Sequence, residues 1–496
     1  MANSFAPGSA HKEGANKFAT TTQAAFAGRR VVMLGLARQG IALARFLANA
    51  GADVVVSDLQ PAERLGAALA ALSGVPIQYV LGGHPESVLD GADLVCLTGG
   101  LGTDQPIVQA ARRRGIPLSN DSQILLEVCP PGVTVVGITG SAGKTTTTTL
   151  VGRMLQAAAA QEGQGAGAPL SHAHAPTRPQ AVFVGGNIGN PLIGELHRMR
   201  PGDVVVMELS SFQLEIMTRS PHVAAVLNLT PNHLDRHGTM AAYAEAKSHI
   251  LRHQGPEGVA VLGWDDPRAR ALAEAAPGRV AYFSGQQAVA EGAFVRDETI
   301  IWRWDSTEAP VLHTSEIGLR GRHNVLNVVA ACAVSGAAGA SPEAMRAGVA
   351  GFTGVEHRLE FVREWNGARW YNDSIATAPE RVSAALGSFD EPIVLLLGGR
   401  DKQLPWDDLA AQVRDRVKAV VLFGEAGPLI ERALTAAGVD PARVSRHPSL
   451  MLAVAAAVVA AAPGDVVLLS PGGTGFDEFR DFVERGEKFK SWVNAL

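Results

Sequence analysis

Residues 133–155, with the sequence VTVVGITGSAGKTTTTTLVGRML, decide the fold class of this chain. The β-branched run before Gly140 predicts a strand, the glycines predict a loop, and the apolar spacing after Lys144 predicts a helix. A strand, a glycine-rich loop and a helix in this order bind phosphate, because backbone N–H groups and the helix N-terminus face the anion. In such a loop Lys144 would neutralise phosphate charge and Thr145 would bind Mg²⁺.

The spacing of the glycines departs from the strict phosphate-loop pattern. That pattern requires glycine at position 138, where this chain has Ile138, and the preceding residue is Gly137. A plain turn between a strand and a helix would explain the glycines but not the Lys-Thr-Thr that follows them. We therefore predict a variant phosphate-binding loop in which Gly137 is the first glycine.

A second nucleotide-type pattern opens the N-terminal part of the chain. The strand-like residues 29–34 are followed by the turn GLARQG at 35–40, a helical run, and a strand DVVVSD that ends at Asp58. This βαβ order, with an acid at the end of the second strand, is typical of dinucleotide-binding folds. Because Gly35 and Gly40 do not complete the GxGxxG fingerprint, the turn either binds a nucleotide-like ligand or is purely structural.

Alternating strands and helices continue to the end of the chain, which predicts the α/β class. The apolar runs at 392–399, 419–424 and 465–473 predict a further doubly wound sheet. We expect a Rossmann-like N-terminal domain, a central P-loop ATPase-like domain with a mostly parallel sheet, and a Rossmann-like C-terminal domain. Their predicted bounds are 27–130, 131–352 and 353–496.

Two segments are predicted to lie outside these domains. Residues 1–26 are rich in Gly, Ser, Ala, Thr and Asn and are interpreted as a disordered tail. Residues 157–180 form a low-complexity, loop-like insert that contains His172 and His174. This histidine pair is interpreted as part of a solvated linker rather than as a metal site, because Ala, Pro and Gly surround it.

The composition excludes several classes of protein. With 43 Lys and Arg against 48 Asp and Glu, the net charge of −5 gives no basic excess for nucleic acid and no charged block for a membrane. Three cysteines without a CxxC pair exclude a disulfide scaffold and a cysteine zinc site. The apolar stretch at 450–462 is too short to span a bilayer, and residues 1–26 lack a secretory signal pattern. We expect a cytoplasmic monomer.

The segment from Gly137 to Thr146 resembles the ATP loop of the Mur ligase family, the ATP-dependent amide-forming enzymes of peptidoglycan synthesis. Three further segments resemble family motifs, namely ELSSFQLE at 208–215, NLTPNHLDRH at 228–237 and YAEAK at 243–247. Five later segments match family motifs in the expected order, at 321–327, 356–360, 371–374, 397–402 and 469–479. ELSSFQLE and the first-domain turn are most similar to the D-glutamate-adding members.

This resemblance implies an activity. The enzyme would add D-glutamate to UDP-N-acetylmuramoyl-L-alanine through an acyl phosphate, in cytoplasmic peptidoglycan precursor synthesis. It implies ATP and Mg²⁺, with two Mg²⁺ ions, and a carbamate formed from CO₂ on Lys247. The substrates would be small molecules only, with no nucleic acid and no membrane partner.

The resemblance also implies the site residues. It implies catalytic roles for Lys144, Glu208, His233, Lys247, His357 and Lys402. It implies ATP binding by Gly140, Ser141, Ala142, Gly143, Lys144, Thr145, Thr146, Thr147, Asn324, Asn327, Arg358 and Asp373. It implies binding of the UDP substrate by Ala37, Arg38, Gln39, Asp58, Thr98, Gly99, Asn187 and Ser210. It implies glutamate binding by Thr377, Lys402, Gly475, Phe476 and Phe482, and metal binding by Thr145, Glu208, His233 and carbamylated Lys247.

Three positions depart from the family pattern. Ile375 replaces a lysine, Gly475 replaces a serine, and residues 98–100 are Thr-Gly-Gly in place of Ser-Pro-Gly. The first two concern the glutamate side of the site, and they leave open whether the enzyme accepts D- or L-glutamate. The third concerns the uridine site.

Several alternatives therefore stay open. Within the ligases these are a chain that adds L-glutamate, another Mur-type ligase, or a folylpolyglutamate synthase, which the UDP-type first domain disfavours. From other classes they are a P-loop switch or transport ATPase without ligase activity, and a nucleotide-binding regulator with an inactive site. Retained Lys144, Glu208, Lys247 and Lys402 argue against the regulator.

Overall fold

The computed structural model describes residues 25–98, 101–161, 179–189, 191–402 and 404–496. These residues build three sheets and two compact units. The first unit contains the described residues up to Glu316 together with Val325–Ala350, and the second contains Ile317–Asn324 and Gly351–Leu496. The predicted α/β class with three mostly parallel sheets is confirmed.

The first sheet has five parallel strands in the order β3-β2-β1-β4-β5. Because the chain moves in opposite directions from β1 and from β4, the carboxyl ends of these two strands form the crevice where open α/β sheets bind ligands. The strands are β1 (Arg30–Leu34), β2 (Asp53–Asp58), β3 (Ile77–Leu81), β4 (Leu94–Leu97) and β5 (Leu118–Ser119). The helices are α1 (Arg38–Asn49), α2 (Gly66–Ala71), α3 (Pro106–Arg113) and α4 (Asp121–Val128).

The predicted tail ends earlier than expected. Residues 1–24 lie outside the described residues, but Phe26 is only 3% exposed. Its ring meets the ring of Phe46 on α1 edge-on, with the centroids 6.1 Å apart. Phe26 therefore belongs to the folded core, because an aromatic side chain buries a large apolar surface once a partner is available.

The second sheet has nine strands in the order β14-β13-β12-β11-β10-β9-β6-β8-β7. The strand that precedes the phosphate loop, β6, lies between β8 and β9, and all three run parallel. The strands are β6 (Thr134–Thr139), β7 (Val182–Gly186), β8 (Val204–Glu208), β9 (Val223–Val226), β10 (Val259–Gly263), β11 (Arg279–Ser284), β12 (Gly292–Arg296), β13 (Thr299–Trp304) and β14 (Thr307–His313). The helices are α5 (Lys144–Ala160), α6 (Ser211–Leu214), α7 (Leu234–His237), α8 (Met240–Arg252), α9 (Pro267–Ala271), α10 (Arg322–Ala337) and α11 (Pro342–Val349).

Helix α5 connects the phosphate loop to the predicted insert. It begins at Lys144, runs through five consecutive threonines at 145–149, and packs closely on β7, where a Cβ on Gly152 would lie 2.6 Å from Val184 Cγ2. It ends only at Ala160, so residues 157–160 are helical and not loop as predicted, because alanine is the strongest helix former. Residues 162–178, with His172 and His174, lie outside the described residues.

The third sheet has six strands in the order β15-β16-β20-β17-β18-β19 and is parallel except for the β15–β16 pair. Both faces are covered: in β17, Ile393 and Leu395 belong to one apolar cluster and Val394 and Leu396 to the other. The strands are β15 (Glu360–Trp365), β16 (Ala368–Asn372), β17 (Ile393–Gly398), β18 (Val417–Phe423), β19 (Val444–His447) and β20 (Val466–Gly472). The helices are α12 (Pro379–Leu386), α13 (Asp407–Arg416), α14 (Gly427–Ala436), α15 (Leu450–Ala460) and α16 (Phe482–Asn494).

The long apolar stretch of the sequence forms α15. This helix buries Leu450, Ala453, Val454 and Ala457 in the core of the second unit. Within the described part of the chain, every helix is too short or too polar to cross a membrane.

Candidate functional site

The phosphate loop, residues 140–143, lies between β6 and the first turn of α5. Gly143 has a φ of 82°, and a Cβ there would lie 2.3 Å from Asn327 Oδ1. A Cβ on Gly140 would lie 2.9 Å from Leu227 Cβ. Glycine is required at both positions, because a side chain would clash or strain the backbone and the loop could not keep its shape.

Gly137 is not part of this loop. It lies inside β6, in register with Met207 on β8 and Ala224 on β9. A Cβ at this position would lie 2.4 Å from Pro221 Cγ, so the glycine allows close packing of a segment against the sheet. The interpretation of Gly137 as the first glycine of the phosphate loop is wrong for this reason.

The loop is held in shape by a residue that the sequence analysis did not assign to the site, Asn228. Its Oδ1 accepts a hydrogen bond from Ala142 N at 2.8 Å, and its Nδ2 donates to Ala142 O at 3.2 Å. Asn228 follows β9, which is the parallel neighbour of β6, so the carboxyl ends of both strands lie at the same edge of the sheet. A polar residue directly after a strand at this edge is the signal that could have identified Asn228.

Four predicted polar residues gather at the carboxyl ends of β6 and β8. Lys144 Nζ donates to Gly140 O at 2.9 Å. Thr145 Oγ1 donates to Glu208 Oε2 at 2.8 Å, and Asn187 Nδ2 donates to Glu208 Oε1 at 3.0 Å. Glu208 is 2% exposed. The two hydrogen bonds fix the orientation of a buried carboxylate beside the first turn of α5.

Lys247 brings a second cation to the same place. It lies on α8, is 1% exposed, and its Nζ donates to Thr139 Oγ1 and to Gly140 O, both at 3.0 Å. Burial lowers the pKa of Lys247 well below its usual value, and the charge of Lys144 lowers it further, while Glu208 opposes the shift. The neutral amine is therefore favoured in this environment.

A polar and aromatic group surrounds the other side of the loop. Ser141 Oγ lies 3.0 Å from Tyr243 Oη and donates to Thr230 O at 2.9 Å. His233 has a left-handed backbone with a φ of 54°, is exposed, and its ring centroid lies 5.0 Å from that of Phe212. The side chains of Ser141 and Tyr243 thus fix the loop, whereas His233 lies on an aromatic surface.

The remaining predicted ATP residues of the first unit occupy different environments. Asn327 faces Gly143, as described above. Thr146 lies buried in the first turn of α5, and Thr147 has no exposed surface. In the second unit, Asn324 Nδ2 donates to Arg320 O at 2.7 Å.

Several predicted UDP residues lie at the carboxyl ends of β1, β2 and β4. Asp58 accepts hydrogen bonds from Leu36 N at 2.7 Å and Gln60 N at 2.8 Å, so its carboxylate fixes the turn before α1, where Ala37 and Arg38 lie. A Cβ on Gly35 would lie 2.2 Å from Thr98 Oγ1, which shows that a close approach requires this glycine.

Other predicted UDP residues reach the second sheet. Gln39 Nε2 donates to Gly186 O at 3.0 Å, next to Asn187. Ser210 caps the short helix α6 through reciprocal hydrogen bonds with Gln213. Gly99 lies outside the described residues. The crevice of the first sheet and the end of β7 are therefore linked directly by Gln39.

In the second unit, His357 and Asp373 are both buried, but their side chains have different hydrogen-bond partners. His357 is 4% exposed, has a φ of 63°, and its Nδ1 lies 3.0 Å from Asn372 Nδ2. Asp373 accepts from Ser470 Oγ at 2.8 Å and from Leu359 N at 3.2 Å. Burial raises the pKa of Asp373 to about 7, against the effects of Ser470 and Arg358.

Three of the predicted glutamate residues, Thr377, Lys402 and Phe482, lie at the turn after β16. Lys402 Nζ donates to Thr377 Oγ1 at 3.1 Å. Phe482 O accepts from Ser374 Oγ at 2.7 Å. A Cβ on Gly475 would lie 3.0 Å from Asp481 O, and Phe476 is 60% exposed. The structure thus brings Thr377 and Lys402 into contact.

Three family models match this chain along its length. The N-terminal domain of MurD-like Mur ligases matches residues 29–120, the Mur ligase middle domain matches 138–335, and the Mur ligase glutamate ligase domain matches 357–473. The UDP-N-acetylmuramoylalanine–D-glutamate ligase of Symbiobacterium thermophilum is 44% identical over 94% of this chain and 98% of its own length. The ligase of the same name from Roseiflexus is 41% identical over 95% and 99%.

Solved structures share the fold. A UDP-N-acetylmuramate–alanine ligase from Thermotoga maritima matches with a TM-score of 0.55 and 20% identity, covering 94% of this chain and 99% of that one. MurF from Acinetobacter baumannii matches with a TM-score of 0.55 and 18% identity, covering 96% and 98%. At these identities the similarity establishes the three-domain α/β fold.

Proposed function

This chain belongs to the Mur ligase family, as its motifs predict, and from that premise we propose the reaction that it catalyses. It is an ATP-dependent amide ligase that adds D-glutamate to UDP-N-acetylmuramoyl-L-alanine in peptidoglycan precursor synthesis. The observation that carries the ligase chemistry is the group of Lys144, Thr145, Glu208 and Lys247 at the phosphate loop. Full-length identity to D-glutamate ligases supports the choice of amino acid. The enzyme works in the cytoplasm as a monomer.

The first step is transfer of the γ-phosphate of ATP to the carboxylate of the UDP substrate, which forms an acyl phosphate and ADP. The loop N–H groups at 140–143 and the start of α5 hold the phosphates. Lys144, at the start of α5, neutralises their charge, and Asn327 lies beside Gly143 at the loop. Phosphoryl transfer depends mainly on such positioning and charge neutralisation.

The residues at the loop fit a divalent cation. Glu208 is a nearly fully buried carboxylate, and within the described residues no Lys, Arg or His nitrogen lies within 4.0 Å of it. Together with the Thr145 hydroxyl it offers the oxygen ligands that Mg²⁺ prefers beside nucleotide phosphates. Bound Mg²⁺ supplies charge stabilisation for the phosphates. Thr145 and Glu208 would hold one ion, and His233 and Lys247 would complete the binding of a second.

Lys247 serves this site as a carbamate. Its amine nitrogen attacks CO₂ and releases one proton, which gives an N-carboxylate anion. The lowered pKa of Lys247 supports this role, because only a neutral amine is nucleophilic. The change replaces an amine next to Lys144 with an anion that can bind metal.

The second step is attack of the glutamate amine on the acyl phosphate, which forms the amide and releases phosphate. Lys402 and Thr377 bind a carboxylate of the amino acid, together with Gly475, Phe476 and Phe482. His357, Arg358, Asp373 and Asn324 bind ATP. The UDP part is bound by the turn at 37–39, by Asp58, Thr98, Gly99 and Ser210, and by Asn187 beside Glu208.

One experiment tests this function. Purified protein is supplied with ATP, Mg²⁺ and UDP-N-acetylmuramoyl-L-alanine, and then separately with D-glutamate, with L-glutamate or with neither. We expect phosphate release and a product of the dipeptide mass with D-glutamate only. Equal phosphate release without an amino acid would indicate an ATPase, and faster turnover with L-glutamate would overturn the stereochemical assignment.

A further inference from the structure

Two cations, Arg381 on α12 and Lys402 after β17, donate hydrogen bonds to the turn after β16 and form no ion pair within the described residues. Lys402 Nζ donates to the Thr377 hydroxyl at 3.1 Å, and Arg381 Nη1, from α12, donates to Ile375 O at 3.2 Å. Among the described residues, no carboxylate oxygen lies within 4.0 Å of either side chain. Both side chains are on the surface of the second unit, so both can meet a ligand.

The two cations belong to one electrostatic environment. The pKa of Lys402 is lowered first by burial and then by the positive charge of Arg381, with a smaller effect of Arg485, while Glu380 opposes the shift. The effect of Arg381 is larger than that of Glu380, so the repulsion between the two cations is offset only in part. An anionic ligand that lies between them would offset the remaining repulsion.

The other cations near this turn are already engaged. Arg485 is fully buried and donates to Ser374 Oγ, Ser374 O and Gly473 O at 3.0, 2.8 and 3.0 Å. Arg400 forms a two-point ion pair with Glu425, at 2.8 and 3.0 Å. Arg485 is therefore shielded from a ligand, and the charge of Arg400 is already neutralised by Glu425. Arg381 and Lys402 are thus exposed cations beside this turn, and neither forms an ion pair within the described residues.

Glutamate carries two carboxylates, and one ammonium group cannot pair well with both. At the turn, the residue at position 375 is isoleucine, so it offers the acceptor an apolar surface but no charge. We propose that Arg381 is a specificity-determining residue, and that it binds the carboxylate of the acceptor glutamate that Lys402 does not hold. This inference rests on the proposed function, because it assumes that Lys402 and Thr377 face the acceptor.

The guanidinium suits this role. It presents several N–H donors in a plane, and one of them already bonds to Ile375 O. The remaining donors can form a two-point contact with a carboxylate. The bond to Ile375 O also orients the side chain along the turn, so that little rotational freedom remains to be lost on binding.

The test is steady-state kinetics of the full-length enzyme with three acceptors: D-glutamate, D-glutamine, which lacks the side-chain carboxylate, and D-isoglutamine, which lacks the α-carboxylate. In Arg381→Gln we expect the KM for D-glutamate to rise roughly 10- to 100-fold, because a charge-assisted hydrogen bond to the substrate is lost. We also expect this variant to lose the discrimination between D-glutamate and one of the two amides, while the KM for ATP stays unchanged. Arg381→Lys keeps the charge and should retain part of the affinity for D-glutamate and part of the discrimination against the amide.

The matched control is Arg432→Gln, which removes an exposed arginine from α14 in the same unit and should leave all three acceptors unaffected. If Arg381 acts only by bonding to Ile375 O, the Gln variant will slow all three acceptors by the same factor, which overturns the proposal. An unchanged KM for D-glutamate also overturns it. If the wild-type enzyme releases no phosphate in response to D-glutamate, the proposed function itself has failed, and the two failures are thereby distinguished.

Discussion

The side chain of Asn228 forms two hydrogen bonds with the backbone of Ala142, one to its N–H at 2.8 Å and one to its C=O at 3.2 Å. This pair fixes the middle of the phosphate loop from a neighbouring strand end. We expect Asn228→Ala to raise the KM for ATP roughly 30-fold, since each of the two hydrogen bonds contributes about 1 kcal/mol. Asn228→Asp keeps the acceptor oxygen but loses the N–H donor. Its KM for ATP should therefore lie between those of the wild type and the Ala variant. An unchanged KM for ATP in both variants would contradict this role of Asn228.

The hydroxyl of Thr145 links the loop to Glu208 and is the proposed metal ligand of α5. Thr145→Val keeps the shape of the side chain but removes its oxygen, so we expect kcat to fall roughly 100-fold and the Mg²⁺ concentration for half-maximal activity to rise. Thr145→Ser keeps the oxygen and should remain active. The assay is phosphate release during a Mg²⁺ titration. Equal Mg²⁺ dependence of the Val and Ser variants would exclude the hydroxyl as a ligand.

The proposed carbamylation of Lys247 predicts a spectroscopic signal as well as an effect on activity. With ¹³C-bicarbonate, wild-type protein should show a carbamate resonance, because burial lowers the pKa of Lys247 and so favours its nucleophilic, neutral form. Lys247→Met should lack both this resonance and ligase activity, and excess bicarbonate should not restore either. A fully active Lys247→Met enzyme would remove the argument for the carbamate.

The left-handed conformation of Gly143 makes the loop sensitive to one methyl group. In Gly143→Ala the new Cβ would lie 2.3 Å from Asn327 Oδ1 in a backbone with a φ of 82°, so we expect ATP binding to be lost. Gly194→Ala is the matched control, because a Cβ there meets no atom within 4 Å. Calorimetric titration with ATP compares the two. Retained affinity in the Gly143 variant would show that the loop adapts.

Asp373 predicts a pH dependence of stability. Its pKa is raised by burial from 3.8 to about 7, so between these values the folded protein binds a proton that the unfolded chain does not. Stability therefore falls as the pH rises through this window, by up to about 1.4 kcal/mol per pH unit. Asp373→Asn removes this dependence.

The corresponding measurement is urea unfolding at pH 5 and pH 7. The free energy of unfolding of Asp373→Asn relative to wild type should be larger at pH 7 than at pH 5. The exposed Asp408→Asn serves as the control, and its difference from wild type should not grow between the two pH values. The same difference at both pH values for Asp373→Asn would show that the carboxyl is not protonated in the folded protein.

The sequence was enough to predict the phosphate loop, the order of the domains and the family. The reason is that Gly140 to Thr146 follows a strand and precedes a helix, which is the arrangement that binds phosphate. The role of Gly137 could not be predicted in the same way, since its requirement comes from Pro221, a residue far away in the chain. Spacing along the sequence does not report such contacts.

Other differences have local causes. The β12–β14 strands add an antiparallel extension to the second sheet, which the prediction of a mostly parallel sheet allowed but did not locate. The turns between them, at Asp297–Glu298 and Asp305–Ser306, have positive φ values without glycine, so the usual turn signal is missing. The contacts of Asn228 with Ala142 and of Arg381 with Ile375 are side-chain arrangements that only the folded chain brings together.

The five threonines at 145–149 affect when the phosphate site forms during folding. Each β-branched residue disfavours a helix by roughly 0.6 kcal/mol relative to alanine, and a helix of this length already has an unfavourable nucleus. The first turns of α5 therefore owe their helicity to burial of Thr146, Thr147 and Thr148 against the rest of the domain. A nascent chain that has not yet assembled the sheet consequently has no ordered anion-binding amides, and nucleotide affinity becomes a property of tertiary assembly rather than of the local sequence.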